Sequence, residues 1–216
     1  VIWVYDADSP VDAHCRIVGD AGFRQHFYVA PGAGNWNSFG GRLDVARANI
    51  ERAAQAGLTH GARGLLLTAW GDNGHHQPWP TLFPSLILAA QAAWGCPLST
   101  AQLPAQIDTL FYPNAAKGHG AAICALGEID ALLPQPAPPS SFLHTALFAT
   151  DAELAELWHT TNPEALQKVI EALDRIKTEG LDPEIELGVA LNRTAAQRCL
   201  RLHAEGASGP FVAEQR

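Results

Sequence analysis

Val1-Ile2-Trp3-Val4-Tyr5 interleaves β-branched and aromatic residues as a strand does, and Asp6 to Pro10 breaks the run. The same order returns twice. Gln25 to Ala30 reads as a second strand, Pro31-Gly32-Ala33-Gly34-Asn35-Trp36-Asn37 as its loop, and a helix begins near Arg42. In that helix Leu43, Ala46, Ile50, Ala53 and Ala54 recur at steps of three and four, which lays one stripe against a core. The third unit is Gly64-Leu65-Leu66-Leu67-Thr68-Ala69, the loop Trp70-Gly71-Asp72-Asn73-Gly74-His75-His76, and a helix from Pro84 to Trp94. Its Leu run does not alternate, which predicts a strand buried on both faces in a parallel sheet. Three such units of about 32 residues predict the α/β class, either as part of an eight-stranded barrel or as a doubly wound sheet. In both, the loops that follow the strands form the open, functional face.

Beyond Cys96-Pro97 the pattern turns helical, with stretches predicted over 100–111, 115–133, 151–159, 163–178 and 183–205. The chain therefore divides at this point into residues 1–96 and a helical region, 97–216, interrupted by the Pro-rich linker at 134–141. Thr150 or Asp151 is placed to cap one helix, and Asn162-Pro163 starts the next, with Leu166, Val169, Ile170 and Leu173 on one face.

Charge narrows the partners. Lys and Arg number 14 against 22 Asp and Glu, a net of −8, which disfavours nucleic acid and anionic membrane surfaces and suits a neutral ligand. No apolar run approaches the ~18 residues of a membrane-spanning helix. The four Cys, at 15, 96, 124 and 199, form no C-x-x-C pair and read as free thiols, which favours a reducing, cytoplasmic setting. The chain has no Met and opens on a strand-like run, so it is expected to be cut from something longer.

The chemistry concentrates in the strand-end loops. Trp70 and Asp72, two residues apart on an extended chain, point to the same side and suit a sugar: an indole packs on the apolar face of a pyranose while a carboxylate accepts from its hydroxyls. Asp72, His75 and His76 are also a possible metal set, though adjacent His residues diverge on a regular backbone and no second cluster completes it. The plainest alternative is a polar loop satisfying its own backbone, which leaves Trp70 and Trp79 without a purpose. The Gly-rich loop after the second strand lacks a following Gly-Lys-Ser/Thr and the G-x-x-x-x-G spacing, so it is a weak match to a phosphate cradle; no cofactor is expected. Its glycines serve to turn the chain and bring Trp36 over the strand ends, with Tyr28 near the end of its own strand. Trp3 and Tyr5 share a strand face and read on their own as packing, as do Trp94 and Trp158 on their helices.

Taken together, Trp70-Gly71-Asp72-Asn73-Gly74-His75 and Pro31-Gly32-Ala33-Gly34-Asn35-Trp36-Asn37 resemble the last strand-end loops of glycoside hydrolase family 20, the β-N-acetylhexosaminidases. The resemblance covers about residues 1 to 95. It implies the last three βα units of a (β/α)8 barrel, a glycan partner carrying N-acetylhexosamine, and substrate-assisted retention, in which the 2-acetamido carbonyl attacks the anomeric carbon. By motif position Tyr28 resembles the Tyr that assists this carbonyl. Trp36, Trp70 and Trp3 resemble pocket walls, and Asp72, with His75 beside it, the group that holds sugar hydroxyls. Where many members carry an Asp two residues after the Tyr, this chain has Ala30. The family's Asp-Glu pair, which supplies the acid, is expected upstream, since this chain has no Asp-Glu dipeptide, and the 216 residues alone are expected to be inactive. The rival readings are a sugar-binding relative that lost its acid, and the metal-dependent hydrolase.

Overall fold

A computed structural model describes residues 1–96, 99–134, 140–157 and 161–206. Strands β1 (Ile2–Val4), β2 (Tyr28–Pro31) and β3 (Gly64–Leu65) form one parallel sheet in that order, in the register Trp3↔Ala30 and Tyr28↔Gly64. Helix α1 (Val11–Val18) follows β1 and α2 (Leu43–His60) follows β2. Phe83–Ala93 is α3, and the rest is helical: α4 (Leu103–Phe111), α5 (His119–Gly127), α6 (Phe142–Phe148), α7 (Asp151–Leu157), α8 (Pro163–Asp174) and α9 (Pro183–Gly206).

This corrects the predicted fold class. The molecule is mainly helical around a small sheet of three, four and two residues, and it does not form the three βα units of a barrel. The physical reason lies in the third unit. The Leu run is expected to be buried on both faces, yet Leu66 is half exposed; the regular strand ends at Leu65, and beyond it the run keeps to β2 through single bonds, from the Leu66 N–H to the Val29 carbonyl and from the Thr68 N–H to the Pro31 carbonyl. One face of the sheet is covered: Val4 and Val29 pack with Val11, Cys15, Ala53 and Ala56 of α1 and α2. The other face is open and carries Trp3, Tyr28 and Leu66, which are 58%, 40% and 50% exposed.

Local signals set the helices well. The α2 stripe buries Leu43, Ala46, Ile50 and Ala53, and the helix stops at Gly61, whose φ of 79° lets its N–H return to the Gly57 carbonyl. Helix α8 starts where Asn162 accepts from the Ala165 N–H, with Pro163 in its first turn, and it buries Leu166, Val169 and Leu173. Helix α6 lies where sequence reading stopped at the Pro-rich segment; Ser141 caps it by accepting from the His144 N–H. Residues 135–139 of that linker, with Pro97, Trp158 and His159, lie outside the described residues.

The core is continuous across the change of pattern at residue 96. Leu43 and Ile50 of α2 and Ile87 and Leu88 of α3 share one cluster with Leu103 and Ile107 of α4, Ile123 of α5 and Ile185 of α9. A second cluster joins Leu126 to α6, α8 and α9 through Leu143, Leu166, Val169 and Cys199. All four Cys are free thiols; Cys15 and Cys199 are buried, and Cys96 is exposed.

Candidate functional site

The three loops at the carboxyl ends of the strands meet. Past β1, the Tyr5 ring lies edge-on to Trp36 with centroids 5.3 Å apart, and edge-on to Trp70 at 6.4 Å. The approach depends on Gly32: a β carbon there would fall on the Trp36 ring at Cη2 and lie 3.0 Å from Tyr5 Cδ1. The Gly32 N–H donates to Asn49 Oδ1, and Asn49 Nδ2 donates to the Asp6 carbonyl, so α2 ties the first two loops together from beneath. The third loop is joined to the second where Asn73 Nδ2 donates to Asn37 Oδ1, and its base is closed where Gln77 Nε2 donates to the Trp70 carbonyl.

The residues singled out by sequence divide into three groups. Trp70, Asp72 and His75 are exposed on the third loop, and the His75 ring lies 5.2 Å from that of Trp79. Trp36 is 1% exposed, so its ring is a packing element under Tyr5, with the Arg42 guanidinium 5.6 Å from its centroid, and it offers no face to a ligand. Tyr28 and Trp3 are not brought to this cluster. Tyr28 opens β2 instead of ending it, and its ring lies over Gly64 on the open face of the sheet, four residues and about 13 Å of strand below Gly32. The aromatic ring that does stand beside Trp70 is Tyr5, which sequence reading assigned to packing. The signal was the shared face of Trp3 and Tyr5, and only its place past the end of β1 separates the two.

Residues 31–40 are buried throughout, which composition did not foretell for a loop of Pro, Gly, Asn and Ser. The helical region covers them. Ser38 Oγ donates to Asp130 Oδ2 at 2.6 Å, Asn37 Nδ2 donates to Ser140 Oγ, and the Ser141 N–H donates to the Asn37 carbonyl. Burial pushes the Asp130 carboxyl up to about 6, against the pull of Ser38 and Arg42. Burial likewise lowers the Arg42 guanidinium from its ordinary value, with Asp130, then Asp6 and Asp44, opposing. The third loop is also held from the helical side: the Trp79 N–H donates to Glu184 Oε2 at 2.6 Å, and the His76 ring packs on Phe148 with centroids 4.5 Å apart.

Chemically, this is an aromatic surface with an exposed carboxylate at its rim. Among the described residues no three His, Cys, Asp or Glu side chains stand close enough together to hold a metal ion, so Asp72, His75 and His76 do not assemble as a ligand set. A cleft of about 490 Å³ lies elsewhere, at the opposite end of the strands between α2 and α3, lined mainly by Gly57, Leu58, Ala62, Leu65 and Ala92. It shows no convergence of polar groups with the aromatic cluster. No helix among the described residues is long and apolar enough to cross a membrane. No protein-family model matches the chain, and no curated protein does.

Proposed function

We propose that this chain forms the sugar-holding part of a β-N-acetylhexosaminidase site, acting on terminal N-acetylhexosamine. The observation that carries the reading is the exposed Trp70 ring set beside Tyr5 at the carboxyl ends of the parallel strands, with the exposed Asp72 two residues on in the same loop. The indole offers an apolar face to the pyranose, and the carboxylate accepts from two vicinal hydroxyls, a contact that does not depend on positive charge on the ligand. Tyr5 packs against Trp70 edge to face and limits how the indole can turn, while Trp36 supports Tyr5 from below. The resemblance to family 20 rests on the same loop and supplies the reaction: the 2-acetamido group of the substrate is the nucleophile, so the protein needs one acid and a rigid pocket. The resemblance would take the acid from an Asp-Glu pair, and these 216 residues contain none.

The test is a titration with N-acetylglucosamine, followed through the tryptophan indole N–H resonances, together with a chromogenic N-acetylglucosaminide assay. The 216-residue chain should bind the sugar in the millimolar range, release no chromophore, and lose at least about tenfold in affinity on Asp72→Ala or Trp70→Ala, the loss of one charge-assisted bond or one stacking face. Absence of saturable binding, or binding untouched by both substitutions, defeats the reading. A longer protein that carries an acid-bearing segment and binds the sugar without turnover assigns the fold to sugar binding alone.

A further inference from the structure

His144 is the buried imidazole nearest the third loop, and its surroundings suit only its neutral form. It is 6% exposed on α6, its Nε2 has no hydrogen-bond partner, and its ring lies 5.1 Å from Phe39, 5.1 Å from Phe148 and 5.7 Å from His76. A proton on Nε2 would create a buried donor with no acceptor, and a cation beside a second imidazole and two phenyl rings. The cheapest relief is departure of His76. That residue is solvent-exposed, and the loop behind it holds Asn73 and His75 in the left-handed region, at φ of 55° and 57°. Asn and His enter this region more readily than most residues, so the loop can hold and leave this conformation at modest cost.

We infer that the His76–His144 contact is an acid-sensitive latch on the loop carrying Trp70 and Asp72, closed while His144 is neutral and released when it takes up a proton. The other charged groups packed around α6 are already engaged. From α9, Arg198 donates to the Ala146 and Leu147 carbonyls and pairs with Asp151 at the start of α7. Below the cap of α6, Asp130 is the partial exception: its Oδ2 accepts from Ser38 and its Oδ1 is buried without a partner, within the influence of Arg42. Among the described residues, His76 is the titratable group whose influence bears on the His144 ring. Burial first, and then His76, pulls His144 from the ordinary imidazole value of 6.5 down to about 4. The closed state therefore favours the unprotonated ring: the latch is at full strength above pH 6.5 and weakens as the pH falls toward 4. Its meaning as control of sugar binding rests on the reading of Trp70 and Asp72 given above; the movement itself does not.

The experiment follows the Trp70 and Trp79 indole N–H resonances of the 216-residue chain from pH 7 to pH 4, without sugar. Wild type should show one step shared by both indoles and by the His144 imidazole. His144→Phe, which continues the Phe39 and Phe148 cluster, should lose the step and keep the pH 7 positions down to pH 4. His144→Gln, neutral and smaller, serves the same purpose if the first variant fails to fold. His60→Gln, which removes a distant imidazole paired with Asp12, should leave the step in place. A step that survives in either folded His144 variant, or no step in wild type, overturns the latch. Failure to bind N-acetylglucosamine would overturn the sugar reading and leave this result standing.

Discussion

Asp130→Ala should cost the fold about 3 kcal/mol, measured by urea unfolding at pH 7, because it removes the strongest counter-charge of the buried Arg42 guanidinium, although the two are not in ion-pair contact. Asp130 and Arg42 are each 2% exposed, and the carboxylate is the strongest charge acting on the guanidinium, ahead of Asp6 and Asp44. The substitution also leaves the Ser38 hydroxyl without its acceptor at 2.6 Å. Asp130→Asn keeps the shape and an acceptor oxygen, so it should cost roughly 1–3 kcal/mol. The pH dependence separates the two causes. With an ordinary carboxyl value of 3.8 and a folded one of about 6, the folded chain holds this proton longer than the unfolded chain. Its contribution to stability therefore falls as the pH rises from 3.8 through 6, and this slope should vanish in Asp130→Asn. Equal stability of wild type and Asp130→Ala at pH 7 would show that the charge is solvated and that the helical region does not hold the loop in this way.

Trp36→Ala should destabilise by a similar ~3–5 kcal/mol, whereas Trp70→Ala should stay within about 1 kcal/mol of wild type. The resemblance noted from the sequence implies that both rings wall a sugar pocket, but their burial differs: Trp36 is 1% exposed and Trp70 is 42% exposed. Trp36 fills space between Tyr5, Arg42 and the backbone at Gly32, so its removal leaves a cavity that a rigid turn cannot close. Gly32→Ala should reproduce the loss from the other side by forcing the ring out. If the proposed sugar site is right, affinity should move in the reverse order, with Trp70→Ala losing at least about tenfold in a chain that still unfolds normally. If both Trp variants lose stability alike, the third loop is core and the division between support and contact surface fails.

Local rules made much of the secondary structure readable. The Leu43, Ala46, Ile50 stripe, the Gly61 stop and the Asn162-Pro163 start are decided within a few residues, and each is found where its chemistry puts it. The sheet was less legible, because a run such as Leu65-Leu66-Leu67 says that burial is available without saying on how many faces. Here β3 is regular over only two residues, further bonds to β2 come singly from Leu66 and Thr68, and Leu66 faces the open side. Helix α6 was hidden for a different reason: seven residues beside a Pro-rich segment are too few for a period to emerge, and the cap at Ser141 was the only local sign. At the site, the exposure of Trp70 and Asp72 is in keeping with a carboxylate two residues after an aromatic, but the extended chain expected between them is replaced by a turn, entered through Gly71 at ψ 42° and tight over Asp72–Gly74. Tyr5 was not legible, and neither were Asp130 and Glu184, whose contacts with the loops cross 92 and 105 residues of sequence.

The burial of residues 31–40 also inverts an ordinary rule about loops. A segment of Pro, Gly, Asn and Ser between a strand and a helix is normally where insertions are accepted and proteases cut first. In this chain both hazards are moved elsewhere, because every residue from Pro31 to Gly40 is packed between the sheet and the helices, while the turn at 113–117 is fully exposed. Length changes that would be silent in most loops are therefore closed to this one, and a peptide tag or a nick belongs near Lys117. The segment that looks most expendable in the sequence is the one whose length the structure can least afford to vary.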